Sequence, residues 1–376
     1  MRILIVQRSL APPGGGNAVA AWMVDALCGH HDVGTLTESE WPVATTNEFY
    51  GTSIAAAAIR RHVVPAPWQW LSGLREDRLT RLRMCAVLRD ARSRASQYDL
   101  MITADNFAAF PTPGIQYVHF PARVQPEPVR LDALVRVYFT LCDWVSGSPS
   151  TDAARNITLA NSRWTAERLS ALGEVSTPIV LYPPVRDAGE GLPWPDRDDT
   201  FLCIGRFDVS KRIEVSIAIV KAARARALPD ARLIIVGSAV DSGYYSRLRA
   251  VADREGHWIE FREDLSRLEL DTLIRRSRYG IQAMRGEHFG MATAEMTRAG
   301  CLVFAHDSGG SPEVLDHQRA LLWPTEEDAV VKIAAMASGS PSPERLSARL
   351  REHARKFSAE LFGEQLRKLV THAHVS

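Results

Sequence analysis

Short apolar strands alternate with helical stretches along most of this chain of 376 residues. The strand candidates, such as Arg2–Val6 and Phe201–Ile204, are mainly apolar runs, which is typical of strands that helices cover on both faces. Alternation of this kind favours a parallel, doubly wound α/β sheet. Because the length exceeds the usual size of one domain, we predict two such domains.

A change in composition marks the division between the two domains. The chain around Tyr182–Val185 and the residues after it are rich in Pro, Gly and Asp and show no hydrophobic period. We therefore predict a first domain over residues 1–183, a linker over 184–200 and a second domain over 201–355. Residues 356–376 are predicted to form a C-terminal amphipathic helix.

Charge and cysteine usage exclude several classes of function. The formal net charge is +1, so nucleic acid is not expected as a partner. The cysteines show no CxxC spacing, and we expect reduced thiols rather than a disulfide framework or a zinc site. These cysteines are Cys28, Cys85, Cys142, Cys203 and Cys301. We predict neither a metal nor a bound cofactor.

The N-terminal segment does not read as a targeting sequence. Its apolar run is too short for a signal peptide and leads directly into a loop of Pro and Gly. No apolar run approaches the roughly 18–20 residues that cross a bilayer. We expect a cytoplasmic protein, with peripheral contact at the inner face of the membrane as an additional option.

Two glutamates, Glu287 and Glu295, flank a predicted helix start in the second domain. Gly290 lies where a loop after a strand turns into this helix, so free backbone N–H groups and the helix dipole can bind a diphosphate. A carboxylate accepts two hydroxyl hydrogen bonds, which suits one glutamate to a hexose and the other to a ribose. The structural alternative is a pair of solvated glutamates.

A second cluster, Gly205–Arg212, directly follows the buried strand Phe201–Ile204. Gly205 permits close approach of the backbone, while Arg206 and Lys211 can converge on phosphate oxygens. Fixed cations would stabilise the charge of a leaving nucleoside diphosphate. The alternative is an ordinary basic loop, but Lys211 is the first lysine of an arginine-rich chain, which favours function.

Two weaker signals lie in the first domain. The glycine run with Gly15 and Gly16 stands between the first strand and the first helix, where a doubly wound sheet binds ligands. It lacks GxGxxG, so a dinucleotide is not predicted, and a plain turn is the alternative. His119 ends an apolar strand and would lie at its carboxyl edge, although a structural histidine fits the same pattern.

Several segments, taken in their order along the chain, resemble family 4 of the retaining glycosyltransferases. The matching segments are GGGNA, YVHFP, LANSRWTAERL with LYPPV, GRFDVSKR, the stretch from Glu287 to Glu295, and AGCLVFAHDSGGSPEVL. YVHFP, ANSRWT and LYPPV look particularly like mannosyltransferases that use GDP-mannose. The resemblance implies a GT-B fold: two Rossmann-like, doubly wound domains facing a central cleft, with the C-terminal helix returning toward the first domain.

The resemblance also implies roles for individual residues. Arg206 and Lys211 would hold the diphosphate, Glu287 the hydroxyls of the transferred sugar and Glu295 the ribose. The remaining donor contacts would be the backbone amides of Phe289, Gly290 and Met291 and the backbone of Gly15, Gly16 and Gly205, with His119 close to the sugar. His288 stands where many relatives carry Gly.

The implied reaction is a metal-independent, retaining transfer of a hexose from GDP-mannose or a UDP-sugar. Such enzymes need no protein nucleophile, because the leaving phosphate helps to deprotonate the acceptor. The acceptor, which would bind the first domain, is a glycan, a lipid-linked sugar or a small hydroxyl compound. The alternatives are a nucleotide-sugar epimerase, a sugar-phosphate synthase, or a protein that binds nucleotide sugars without turnover.

An arginine-rich stretch, Arg75–Arg94, follows a segment with Trp68 and Trp70. A basic helix beside tryptophans can rest on an anionic membrane and meet a lipid-linked acceptor. The alternative is a solvated helix face, which the intervening Glu76, Asp77 and Asp90 favour.

Overall fold

A computed structural model describes residues 1–65, 80–120, 133–147, 150–173, 177–239 and 241–375. The chain forms two compact units. The first unit comprises Met1–Pro184 and Ala359–Ser376, and the second comprises Val185–Ser358.

The first unit is built on a parallel sheet of seven strands. The strands are β1 (Arg2–Val6), β2 (Asp32–Thr37), β3 (Ile59–Val63), β4 (Leu100–Thr103), β5 (Ile115–Val118), β6 (Ile157–Ala160) and β7 (Ile179–Val180). Their order is β3-β2-β1-β4-β5-β6-β7, so the direction of winding reverses between β1 and β4. In a doubly wound sheet, ligands bind beyond the carboxyl ends of the strands at such a switch point.

Helices cover this sheet on both faces. They are α1 (Gly15–Leu27), α2 (Val43–Tyr50), α3 (Thr80–Ser93), α4 (Ala133–Ser146) and α5 (Arg163–Leu172), joined by the C-terminal helix α13 (Ala359–Val375). The start of α5 is set by Ser162, whose side chain accepts from the Thr165 N–H, and its end by Gly173 in a left-handed conformation. Helix α13 packs on α1 and buries Phe362, Leu366 and Val370 in the core of this unit.

The second unit has a parallel sheet of six strands. They are β8 (Asp198–Ile204), β9 (Arg232–Gly237), β10 (Ile259–Glu263), β11 (Ser277–Gln282), β12 (Leu302–His306) and β13 (Leu322–Trp323). The order is β10-β9-β8-β11-β12-β13, which places the switch point between β8 and β11. The central strands are almost fully buried, as their apolar sequences require.

The helices of the second unit follow its strands in alternation. They are α6 (Ile213–Arg226), α7 (Ser242–Glu255), α8 (Arg267–Arg276), α9 (Met291–Arg298), α10 (Ser311–Val314), α11 (Glu326–Ala337) and α12 (Pro343–Ala354). The segment before β8 belongs to this unit, since Arg197 is only 5% exposed and donates to the carbonyls of Leu192, Ser277 and Ala299.

The predicted α/β class with two parallel, doubly wound sheets is confirmed. Strand β8 begins at Asp198 rather than at Phe201, because Asp198 and Thr200 pair with neighbouring strands although they are polar. Within the described ranges, every helix is too short or too polar for a bilayer span.

Candidate functional site

Two charged side chains from separate loops meet at the switch point of the second sheet. Lys211 ends the turn Val209–Lys211 after β8, and Glu287 lies in the loop after β11. The Lys211 Nζ and Glu287 Oε2 atoms are 2.5 Å apart, with 20% and 18% of the two side chains exposed. The structure therefore joins the predicted diphosphate and sugar residues in one ion pair that solvent can reach.

The loop after β8 is anchored by backbone pairing and by an aromatic side chain. Gly205 N–H donates to Val236 O, and Phe207 N–H donates to Ser238 O, which continues the ladder with β9. The Phe207 ring is fully buried and stacks on Tyr245. A Cβ atom at Gly205 would lie 3.7 Å from the Lys211 side chain, an ordinary van der Waals distance, so the lysine stem packs on this part of the loop.

The charged residues of this loop differ in their exposure and in their roles. Arg206 is exposed, whereas Asp208 starts the turn and accepts from the Ser210 N–H at 2.9 Å. The hydrogen bonds from Ser210, together with the charges of Arg206 and Lys211, hold the pKa of Asp208 below its usual range. Asp208 therefore stays ionised and fixes the turn that carries Lys211, while Arg206 points outward.

Helix α9 begins beside Glu287, as the glycine pattern predicts. Gly290 precedes the helix with φ 99°, a left-handed conformation that favours glycine. The first N–H groups of α9 have no acceptor within the helix and form a site for negative charge. The Phe289 ring, by contrast, is 2% exposed and packs edge-on against Phe357, so this side chain belongs to the protein interior.

A third loop, which sequence reasoning left without a role, holds Glu287 in place. Gly310 N–H donates to Glu287 O at 2.6 Å, and Ser308 Oγ accepts from Gly286 N–H at 2.8 Å. A Cβ atom at Gly309 would lie 2.1 Å from Glu287 O, and φ there is +71°. The signal was the DSGG segment after β12, because two consecutive glycines at a strand end indicate close backbone approach.

His288 is half-buried and lies near both charges of the ion pair. Burial lowers its pKa, and the Lys211 charge acts in the same direction while Glu287 opposes it. We therefore expect a neutral imidazole at pH 7.

Glu295, the predicted ribose ligand, lies inside α9 with 14% of its side chain exposed. Its two carboxylate oxygens are each 3.3 Å from Arg267 Nη1. Sequence reasoning did not identify Arg267, because it is one arginine among many and lies before a different strand.

At the edge of the first sheet, the structure brings Gly16 and His119 together. Helix α1 starts at Gly15, and a Cβ atom at Gly16 would lie 3.5 Å from His119 Nε2. The backbone at His119 is held by Asn106, whose Oδ1 accepts from the N–H groups of His119 and Phe120 at 2.9 and 3.0 Å. These two segments therefore form one continuous surface at the carboxyl ends of β1 and β5.

A mixed-charge cluster lies at the same edge and was not predicted. Arg8 Nε is 2.6 Å from Asp105 Oδ2, and Arg83 Nη2 is 2.5 Å from Glu38 Oε2. Glu38 is 8% exposed, and its Oε1 atom has no hydrogen-bond partner among the described residues. Burial raises the pKa of Glu38, and Arg83 opposes this. Because Arg8, Glu38 and Asp105 directly follow β1, β2 and β4, their clustering follows from the order of these strands in the sheet.

The predicted basic stretch Arg75–Arg94 is described only from residue 80 onward, so Trp68, Trp70, Arg75 and Arg78 lie outside the described residues. The arginines from residue 80 onward make contacts within the first unit. Arg81 lies over the Phe139 ring, Arg94 pairs with Asp90, and Arg89 donates to Trp144 O and Val145 O.

The two sets of predicted residues thus occupy one sheet edge in each unit. Arg206, Lys211, Glu287 and Glu295 lie in the second unit, and Gly15, Gly16 and His119 lie in the first. Across the described residues, no three His, Cys, Asp or Glu side chains are placed to hold a metal ion together.

Comparison with known proteins agrees with this geometry. Residues 187–357, which span nearly the whole second unit, match the family described as glycosyl transferases group 1. The second unit is therefore similar to the group 1 glycosyltransferases. The resemblance that the sequence motifs predicted is confirmed.

Similar curated proteins include mannosyltransferases. The chain is 27% identical over 258 residues to the Neurospora crassa GDP-Man:Man(3)GlcNAc(2)-PP-Dol alpha-1,2-mannosyltransferase, covering 58% of this chain and 46% of that protein. It is 25% identical to the human alpha-1,3/1,6-mannosyltransferase, covering 68% and 67%. The chain thus spans less than half of the N. crassa relative, and these likenesses are distant.

Solved glycosyltransferase structures share the fold over almost the full chain. The sucrose-phosphate synthase of Thermosynechococcus elongatus aligns with a TM-score of 0.73 at 15% identity, covering 100% of this chain and 99% of that chain. WaaG, a glycosyltransferase of lipopolysaccharide biosynthesis, aligns at 0.71 and 13%, covering 99% and 100%. Anabaena HepE in complex with UDP-glucose aligns at 0.70 and 15%, also covering 99% and 100%. The predicted GT-B fold is confirmed.

Proposed function

We propose that the chain transfers a hexose from a nucleotide diphosphate sugar to a hydroxyl acceptor, without a metal and with retention at the anomeric carbon. The observation that carries this proposal is the Lys211–Glu287 pair at 2.5 Å beside the start of α9. It puts a cation for phosphate, a carboxylate for sugar hydroxyls and free helix N–H groups within one sheet edge.

The chemistry follows from the charges in this arrangement. When the bond between the anomeric carbon and the phosphate oxygen breaks, negative charge develops on the leaving diphosphate. The Lys211 ammonium, the exposed Arg206 and the N–H groups of Met291 and its neighbours stabilise that charge. A bound diphosphate competes with Glu287 for Lys211, which frees the carboxylate to accept from the sugar hydroxyls.

Retention requires the acceptor oxygen to bond to the anomeric carbon on the face that the phosphate leaves. The acceptor proton then passes to the departing phosphate oxygen, so no protein nucleophile takes part. We propose that His119, at the edge of the first sheet, contributes to binding the transferred sugar, together with the backbone of Gly15 and Gly16.

We further propose that the acceptor binds at the edge of the first sheet. The cluster of Arg8, Glu38, Arg83 and Asp105 is neutral overall and offers both donors and acceptors, which suits a polyhydroxylated molecule.

Glu38→Gln should weaken transfer several-fold without changing nucleotide affinity. Glu40→Gln, at an exposed position nearby, is the control. If Glu38→Gln loses nucleotide affinity as much as it loses transfer, this placement of the acceptor is refuted.

GDP-mannose and UDP-glucose are the first donors to test, since the similar proteins include users of GDP-Man and a UDP-glucose complex. The experiment incubates the full chain with each donor and a panel of saccharides, with and without EDTA, and follows release of the nucleoside diphosphate. NMR of the product gives its anomeric configuration. We expect acceptor-dependent release that survives EDTA and a product with retained configuration.

Other outcomes would identify the alternatives. Conversion of the donor sugar without any acceptor would indicate an epimerase. Turnover only with sugar phosphates would indicate a synthase. Binding of a donor without turnover under any acceptor would contradict transfer, and inversion would contradict the retaining mechanism.

We also propose peripheral contact with an anionic membrane, supported by α4 rather than by the arginines of α3 alone. Val137, Leu141 and Trp144 form one helical stripe with 66%, 42% and 69% exposure. Arg89 and Arg92 are exposed at the end of this stripe, an arrangement that suits anionic headgroups. Trp144→Ser should reduce cosedimentation with phosphatidylglycerol vesicles; wild-type chain that stays in the supernatant would refute the contact.

A further inference from the structure

Arg267 occupies a position where local rules disfavour it. It is the first residue of α8, where the helix dipole favours an acidic side chain and opposes a cation. It is also only 9% exposed, and a buried guanidinium is costly unless it is paired. Helix α8 does not need it for its start, because Ser266 and Glu269 form a capping box.

Two carboxylates offset the cost of burying this cation. Arg267 Nε donates to Asp271 Oδ1 at 2.9 Å, one turn further along α8. On the other side, Arg267 Nη1 lies 3.3 Å from each carboxylate oxygen of Glu295 in α9. Burial alone would lower the pKa of Arg267, but the charges of Glu295 and Asp271 outweigh it and raise that pKa.

The cluster ends in a second arginine. Arg186 Nη2 lies 3.5 Å from Asp271 Oδ2, so two carboxylates alternate with two guanidinium groups. Asp271 is 6% exposed and is held from both sides. The planar guanidinium of Arg267 bridges two carboxylates on different helices, a task that the point charge of a lysine does poorly.

We propose that Arg267 is the positioning residue of the nucleoside side of the site, fixing the Glu295 carboxylate so that it accepts from the two ribose hydroxyls. This inference rests on the proposed function. A carboxylate offers about four lone-pair sites, and Arg267 uses one side of the group. The remaining lone pairs of Glu295 are then held at a fixed angle, which suits a pair of neighbouring hydroxyls. Asp271 in turn holds Arg267.

Ribose hydroxyls give this proposal a specific readout. Calorimetric titrations of the full chain would use UDP and GDP and their 2′,3′-dideoxy analogues. Wild type should bind the better ribonucleotide at least about 10-fold more tightly than its dideoxy analogue, because even one hydrogen bond to a charged group contributes about 1.5–3 kcal/mol. Arg267→Met should lose most of that ratio by weakening the ribonucleotide alone. A merely structural role would weaken both ligands equally.

Three further variants complete the test. Arg276→Met, at an exposed ion pair on the same helix, should keep the wild-type ratio. Arg267→Lys should fall between wild type and Arg267→Met. Combining Arg267→Met with Glu295→Gln should add little to either single change, because both act on the same hydroxyls. Thermal unfolding of each variant identifies any that fails to fold.

The outcomes separate this proposal from the proposed function. Suppose that wild type binds the ribonucleotide more tightly than the dideoxy analogue and that Arg267→Met keeps this ratio of affinities. Then Arg267 does not position Glu295, while the proposed donor site stands. The same conclusion follows if Arg267→Met weakens both ligands equally. If wild type binds neither UDP nor GDP, both proposals fail.

Discussion

The two sheet edges share a topology, but the loops that carry the predicted residues are held differently. In the second unit, the backbone at Glu287 is held by the backbone of the glycine loop after β12, through the Gly310 N–H to Glu287 O bond. In the first unit, the backbone at His119 is held by the side chains of Asn106 and Asn161. Close contacts between backbone groups require glycine, whereas contacts that side chains make can change with a single substitution. This difference suits the proposed binding of the donor at one edge and of the acceptor at the other.

Gly309→Ala should cause the largest effect, because it breaks the backbone-held edge. Its new methyl group would overlap Glu287 O at a left-handed residue. We expect about 3 kcal/mol or more of destabilisation and a loss of kcat/KM on the order of 100-fold. Unfolding curves and initial rates measure both.

The matched control is Gly339→Ala. This glycine also has a positive φ, of +84°, but no atom lies within 4 Å of a Cβ there. Gly339→Ala should lower the free energy of unfolding by about 1–2 kcal/mol, because alanine is strained in a left-handed conformation. It should leave the rate of transfer unchanged. If the two variants lose the same activity, the Gly309 contact does not hold the donor edge.

Asn106→Ala should break the side-chain-held edge with a smaller effect. It removes the acceptor for two backbone N–H groups, and we expect roughly a tenfold loss of transfer. Nucleoside diphosphate affinity should not change, because the donor loops belong to the second unit. Asn106→Asp retains the acceptor oxygen and should restore most of the rate. Loss of nucleotide binding in Asn106→Ala would contradict the division of roles.

His288 gives a smaller, pH-dependent test of the donor edge. Its lowered pKa means that the folded protein binds this proton less readily than the unfolded chain. This part of the stability is therefore present above the unfolded pKa of about 6.5 and is lost as the pH falls below it. His288→Gln should reduce the decline in unfolding free energy by up to about 1 kcal/mol between pH 7 and 5.

The exposed His257 serves as a control for this measurement. The decline measured for His288→Gln is compared with that of His257→Gln. An unchanged decline in His288→Gln would show that its burial does not couple to the stability of the donor edge.

The sequence predicted the central strands well because they are continuous apolar runs. It missed β3, Ile59–Val63, because this edge strand has the pattern IRRHV with exposed Arg60 and Arg61. The loop after β11 could be placed because Gly290, with its left-handed backbone, marks the start of α9. The loop after β8 could be placed because it directly follows a buried apolar strand. Periodicity alone could not predict how these loops meet.

The partners of the site residues were beyond sequence reasoning. Nothing in the spacing of Lys211 and Glu287 along the chain predicts their ion pair, since it depends on the order of β8 and β11 in the sheet. The same holds for Arg267 with Glu295, and for Arg8 with Asp105 in the first unit. Each pair joins residues that follow different strands or helices. The roles predicted for these residues remain proposals.

The most direct test of the central claim is the affinity of the full chain for UDP and GDP when Lys211 is removed. We predict that Lys211→Met weakens binding of the preferred nucleotide about 10- to 100-fold, the range of a hydrogen bond from a charged group to phosphate. Lys221→Met, at an exposed ion pair on α6, should bind like wild type. Wild-type affinity in Lys211→Met would contradict a diphosphate site at the edge of the second sheet.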